Sequence, residues 1–79
     1  MKTDLITIPG VGKDMKEHFI KLGYTNVESL VEANPEEMYE EDRKLCGGSL
    51  DRCVLYVYRC AVEYSKTRNK ELKWWNFKD

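Results

Sequence analysis

The run Ile8-Pro9-Gly10-Val11-Gly12-Lys13 holds the residues with the clearest chemical use. Glycine has no Cβ, so the backbone at Gly10 and Gly12 can take positive φ and let a ligand approach closely. A helix that begins just after such a turn presents unpaired N–H groups at its positive end. That combination suits a phosphate. The amides of Gly10, Val11, Gly12 and Lys13 would hold its oxygens, and the ammonium groups of Lys13 and Lys16 would supply charge. No side chain in the run reads a base edge, so binding would be independent of nucleic-acid sequence. The competing reading is that the two glycines only permit a tight turn between helices and take no ligand.

A second set of basic residues lies further along. On a helical wheel Arg52, Tyr56, Arg59, Glu63 and Lys66 fall on one stripe. Arg52 and Arg59 beside the Tyr56 ring could grip a nucleic-acid backbone, with Lys73 assisting from the tail. The alternative is a solvated face with an Arg59–Glu63 pair at i,i+4, worth about 0.2–0.5 kcal/mol. Trp74, Trp75 and Phe77 also admit two readings. Either the tail folds back to close a small core, or it stands exposed as an aromatic platform among Lys70, Lys73 and Lys78. The area that a small domain needs to bury favours closure.

Catalysis finds little support. Cys53 and Cys60 are seven positions apart, about 10.5 Å along a helix, too far to share one tetrahedral zinc. Cys46 and His18 do not repair that spacing. The three cysteines contain no CxxC pair and read as free thiols, buried as small hydrophobes. His18 lies beside an apolar stripe with no nucleophile in view. With no paired nucleophile and base, no metal-ligand cluster and no nucleotide fingerprint, the expectation is a protein that is not an enzyme.

Helices must position these groups. Thr3 can cap a short apolar turn, Leu5-Ile6-Thr7-Ile8, that stops at Pro9-Gly10. Val11, Met15, Phe19 and Leu22 then fall on one stripe of a second helix, which Gly23 ends. Thr25 followed by Glu28 reads as a capping box opening a connector helix over 26–33, with Val27, Leu30 and Val31 inward. Asn34-Pro35-Glu36-Glu37 is a fuller start signal, for a helix carrying Met38, Tyr39 and Leu45 and ending at Gly47-Gly48. Ser49 caps a fifth helix over roughly 50–67. Its wide apolar arc makes it either the central helix of a bundle or one partly buried by a second copy. No segment alternates with period two. The pattern predicts one all-α domain over residues 1–79, with five helices and an irregular aromatic tail at 68–79.

Composition agrees with a single small domain. The chain has 79 residues, 42% of them apolar and 34% charged. Thirteen basic and fourteen acidic side chains leave a net charge of −1, which excludes a generally basic, histone-like binder. The charge is unevenly placed: residues 28–42 hold seven acids and no base, whereas residues 43–79 hold nine bases and four acids. Any phosphate-binding face must therefore be a local patch. No apolar run approaches the ~20 residues that span a bilayer, and the N-terminus lacks a signal-peptide core. Together these point to a cytoplasmic protein without a membrane partner.

The turn at 8–13, with an apolar residue and Pro before it, Lys after it and Leu22-Gly23-Tyr24 downstream, resembles the hairpin of helix-hairpin-helix proteins. The resemblance implies DNA binding and a monovalent cation held by hairpin carbonyls, here those of Ile6, Ile8 and Val11. Cys46-Gly47-Gly48-Ser49 then stands as a degenerate second hairpin at 46–49, lacking the Pro and Lys of the first. Two hairpins joined by the connector would make a double helix-hairpin-helix-like (SAM-like) bundle. Beyond the first hairpin, Asn34-Pro35-Glu36-Glu37-Met38-Tyr39, the stretch Asp51 to Val62 and the tail Leu72 to Asp79 are similar to the pathogenicity-locus family of small bacterial helix-hairpin-helix proteins. Phe77 stands where a third Trp is expected. What this implies is a non-catalytic or accessory module that binds DNA through its backbone. A protein-interaction or homodimerising module, with a purely structural hairpin, is the alternative.

Overall fold

A computed structural model describes residues 4–78, so the capping role expected of Thr3 lies outside the described residues. Three α-helices form: α1 over Lys13–Lys21, α2 over Pro35–Leu45 and α3 over Arg52–Thr67. Single 3₁₀ turns occupy Leu5–Thr7, Glu28–Leu30 and Trp74–Phe77, and no strand occurs among the described residues. The all-α expectation holds, but the five-helix double-hairpin bundle does not.

Two of the five expected helices are too short to be α-helical. Leu5–Thr7 runs into Pro9, and Ile8 is already extended at ψ 130°. In the expected connector over 26–33 the bonds run i→i+3, from Leu30 N–H to the Val27 carbonyl and from Val31 N–H to that of Glu28. So brief a segment closes too few i→i+4 bonds to offset the cost of helix nucleation. The side chain that organises its start is Asn26, whose Oδ1 accepts the Ser29 N–H at 2.8 Å. Val27 and Leu30 do point inward, but Val31 is exposed.

The segment 46–49, expected as a degenerate second hairpin, begins with the stop of α2. The Gly48 N–H reaches the Arg43 carbonyl at 2.8 Å and the Gly47 N–H reaches that of Lys44 at 3.2 Å. With Gly47 at φ +80° this is a Schellman motif, the ordinary glycine stop of α2. α1 ends the same way, with Tyr24 N–H on the Phe19 carbonyl and Gly23 N–H on that of Ile20. Two helix stops explain these glycines.

α2 starts as its sequence predicts. Asn34 Oδ1 accepts the N–H groups of Glu36 and Glu37, and Pro35 takes the first helical position. α3 starts two residues later than expected, because Asp51 rather than Ser49 caps it, accepting the Cys53 N–H at 2.9 Å.

α3 is the central helix. Leu55, Val57, Tyr58, Cys60, Ala61, Val62, Tyr64 and Ser65 are all buried along it. α2, the Glu28–Leu30 turn and the Trp74–Phe77 turn pack on it, and Phe19 of α1 meets Tyr58 edge-on at 5.1 Å. Its wide apolar arc is thus covered by the chain's own elements. Among the described residues no helix is long and apolar enough to cross a membrane.

Candidate functional site

Ile8-Pro9-Gly10-Val11 forms a hydrogen-bonded turn. Pro9 occupies its second position, Gly10 takes φ +85° at the third, and the Val11 N–H closes onto the Ile8 carbonyl at 3.1 Å. This is the pattern of a type II turn, which needs Gly where φ is positive. Ile8 and Val11 are buried and anchor the turn to the core, while Gly10, Gly12 and Lys13 are exposed and Lys16 is half-buried.

The two glycines serve different ends. A Cβ on Gly10 would sit 2.9 Å from Trp74 Cδ1, so the tail packs directly on the turn. Gly10 is therefore required by the fold twice, for its φ and for this contact. Gly12 is required by neither. Its φ of −101° with ψ of −166° is extended backbone open to any residue, and a Cβ there would face open space. It is also the N-cap of α1, with no side chain accepting from the first turn. The N–H groups that begin α1 therefore face a position unobstructed by a side chain, with Lys13 adjoining. Of the carbonyls expected to hold a cation, that of Ile8 already accepts the Val11 N–H, which uses one of its two lone pairs.

The secondary basic residues are less alike than the wheel suggested. Arg52 is exposed at the start of α3. Arg59 instead ties the tail down: Nη1 donates to the Phe77 carbonyl at 2.8 Å, and Nη2 lies 3.5 Å from Glu36 Oε1. Glu36 on α2 is thus an ionic partner of Arg59 that the helical wheel does not show. Lys73 lies over the Trp75 ring at 5.7 Å, and Lys78 over the Trp74 ring at 5.8 Å. The tail divides in function: Trp74 packs against the core, as closure requires, while Trp75 is 50% exposed.

One cluster was missed from sequence. Asp42 of α2 is fully buried and accepts from the Tyr58 hydroxyl at 2.5 Å and from His18 Nδ1 at 2.6 Å. Lys21 Nζ lies 3.0 Å from its other oxygen. Burial alone would raise the Asp42 carboxyl; the bonds from Tyr58, Lys21 and His18 outweigh it and hold the group below its ordinary range. Burial and the Asp42 hydrogen bond push the Tyr58 phenol far up. The cluster joins α1, α2 and α3. Its only trace in the sequence is that Asp42 follows Met38 by four and Tyr39 by three, an acid on an apolar stripe. His18 thus has an orienting carboxylate, although the sequence shows it no partner.

The cysteines correct a further expectation. Only Cys60 is buried, and burial pushes its thiol up to about 11. Cys46 and Cys53 are exposed, since they lie at the end of α2 and in the first turn of α3, past the edge of the core. Among the described residues no group of three or more His, Cys, Asp or Glu side chains is placed to hold a metal ion.

Comparison with known proteins gives one named relative. The chain is 29% identical over 75 residues to the mitomycin resistance protein McrB of Streptomyces lavendulae, a match covering 95% of this chain and 70% of the relative. No solved structure matches it. The family model described as pathogenicity locus matches residues 1–79, every position of the chain, and the protein belongs to the pathogenicity-locus family.

Proposed function

We propose that this protein binds DNA without reading its sequence, by capturing a backbone phosphate at the turn that opens α1. The observation that carries this reading is Gly12. The fold does not need glycine there, the space before it is open, and the first turn of α1 lacks a side-chain cap. A side-chain oxygen at an N-cap ordinarily satisfies those donors. A phosphate oxygen satisfies them equally well, and the helix dipole favours its charge. The Lys13 ammonium adds a charge-assisted contact, and Lys16, one turn along, adds attraction. A monovalent cation of the kind implied for the hairpin would be held by the carbonyls of Ile6, Ile8 and Val11, adding positive charge beside the phosphate. The protein acts as a binding module or accessory factor, with no bond made or broken.

Gly12→Asp is the informative substitution. Aspartate is a good N-cap, so it supplies the missing acceptor and leaves the fold as stable or slightly more so. It also places a fixed anion where the phosphate would sit. Fluorescence anisotropy with a labelled duplex should show affinity falling by roughly tenfold or more, ~1.4 kcal/mol, while the melting temperature holds or rises. Unchanged duplex affinity in Gly12→Asp would remove the turn from the binding site. Gly10 substitutions test nothing of the kind, because strain and the Trp74 contact would damage the fold first.

A further inference from the structure

We infer that the exposed ring of Trp75 is a stacking site for an unpaired nucleobase, so that the preferred ligand is a DNA duplex ending in a single strand. This rests on the phosphate-capture reading above and deepens it. Trp74 lies against Gly10 and meets Trp75 in an edge-to-face contact, centroids 5.7 Å apart at 83°. The platform is therefore attached to the phosphate-binding turn itself, at the distance of neighbouring side chains. A duplex whose terminal phosphate sits at Gly12 would have its next, unpaired nucleotide within the tail's reach.

Closure of the core accounts for Trp74 but not for Trp75. Trp74 is partly buried against the core, whereas half of Trp75 remains in solvent. The edge-on contact with Trp74 limits the orientations of Trp75, so little rotamer freedom remains to be lost on binding. The charge nearby has the right sign. Lys73 lies over the Trp75 ring and Lys78 over that of Trp74, each within 6 Å of the centroid, where a cation is attracted to the π-face. Both ammonium groups are then near any phosphate attached to a stacked base. With Lys73 over one face of the Trp75 ring, the base stacks on the face opposite it, which accepts every base alike because each has a π-face. The platform is thus as indifferent to sequence as the turn beside it. Duplex DNA hides its base faces in the stack and offers Trp75 none except at an end.

The test compares a blunt DNA hairpin with the same hairpin carrying a single-stranded oligothymidine overhang, by anisotropy on the full chain. Wild-type protein should bind the overhang probe at least about fivefold more tightly, the lower end of what one stacked base contributes. Trp75→Ala should abolish that preference, so that the variant binds the two probes alike. Trp75→Phe should retain part of it. Equal affinity of the wild type for both probes, or a preference that survives Trp75→Ala, overturns the stacking site. Blunt-probe binding lost in Gly12→Asp would in that case leave phosphate capture standing. The reverse outcome, a Trp75-dependent preference for the overhang that Gly12→Asp does not weaken, keeps the platform and removes the turn. Absence of binding to either probe at low salt overturns both.

Discussion

Asp42 shows how one residue can fasten three helices in a domain with a thin core. Its carboxylate accepts from Tyr58 of α3 and from His18 and Lys21 of α1, so an ionised acid with no exposed surface is stable there. Because those donors hold its carboxyl below the ordinary value, the sign of the pH dependence is set. The contribution is complete above the unfolded-state value of about 3.9 and is lost as pH falls through the lower folded-state value. Asp42→Asn should cost about 1–3 kcal/mol at neutral pH, chiefly by leaving the buried Tyr58 hydroxyl poorly matched. Thermal melts between neutral and strongly acid pH should fall less steeply in the variant than in the wild type. An equally steep acid loss in Asp42→Asn would assign it to other carboxylates. The cluster could not be read from sequence because its members stand 24 and 16 positions apart, and only the packing of α1 and α3 on α2 brings them together. What was legible was local: the Asn34-Pro35 start, the Gly23 stop, and the inward side of Val11, Phe19, Val27 and Leu30.

At the scale of elements, the tail and the first turn act as one unit. Trp74 fills the space over Gly10, and Arg59 of α3 donates to the Phe77 carbonyl from the other side. Leu72 and Trp74 both pack against the core. Deleting residues 70–79 removes these contacts and exposes the apolar surface beneath them. A large apolar side chain is worth about 1.5–3 kcal/mol when fully buried and less for the partly buried Leu72 and Trp74, and in a domain of this length ~1 kcal/mol moves the midpoint by 4–8 °C. The truncated chain should therefore melt at least ~10 °C lower by circular dichroism. A melt unchanged by truncation would mean that the tail contributes nothing to the core. The expected count of five helices failed for related reasons. Capping residues and apolar spacing announce where a helix begins, but they do not say whether three residues or eleven follow. Gly47-Gly48 shows the same ambiguity, since a glycine pair between two helices reads alike as a degenerate hairpin and as a plain Schellman stop. The hydrogen bonds to Arg43 and Lys44 show the stop.

The whole molecule has an accessible surface of 4997 Å², close to the ~5,000 Å² that a folded monomer of its 9.3 kDa presents. The buried side of α3 is covered by elements of the same chain. What remains unbalanced is charge. Glu36, Glu37, Glu40 and Glu41 are all exposed on α2, so that helix repels a polyanion, whereas Lys13, Lys73 and Lys78 stand around the first turn and the tail. If the proposed phosphate capture holds, a duplex approaching this molecule would be steered to one place and held there by few contacts, and salt should report the number. Each phosphate neutralised contributes about −0.9 to the slope of log affinity against log salt. Capture at one turn, aided by the neighbouring lysines, corresponds to about one to three phosphates and a slope between about −1 and −3 in a KCl titration. A slope steeper than about −5 would require a broad basic face, for which a chain of net charge −1 has too few unopposed lysines and arginines. A slope of zero would mean that no phosphate is held. Within the expected range, Gly12→Asp should reduce the magnitude of the slope by about one, because the phosphate it displaces is one of those counted.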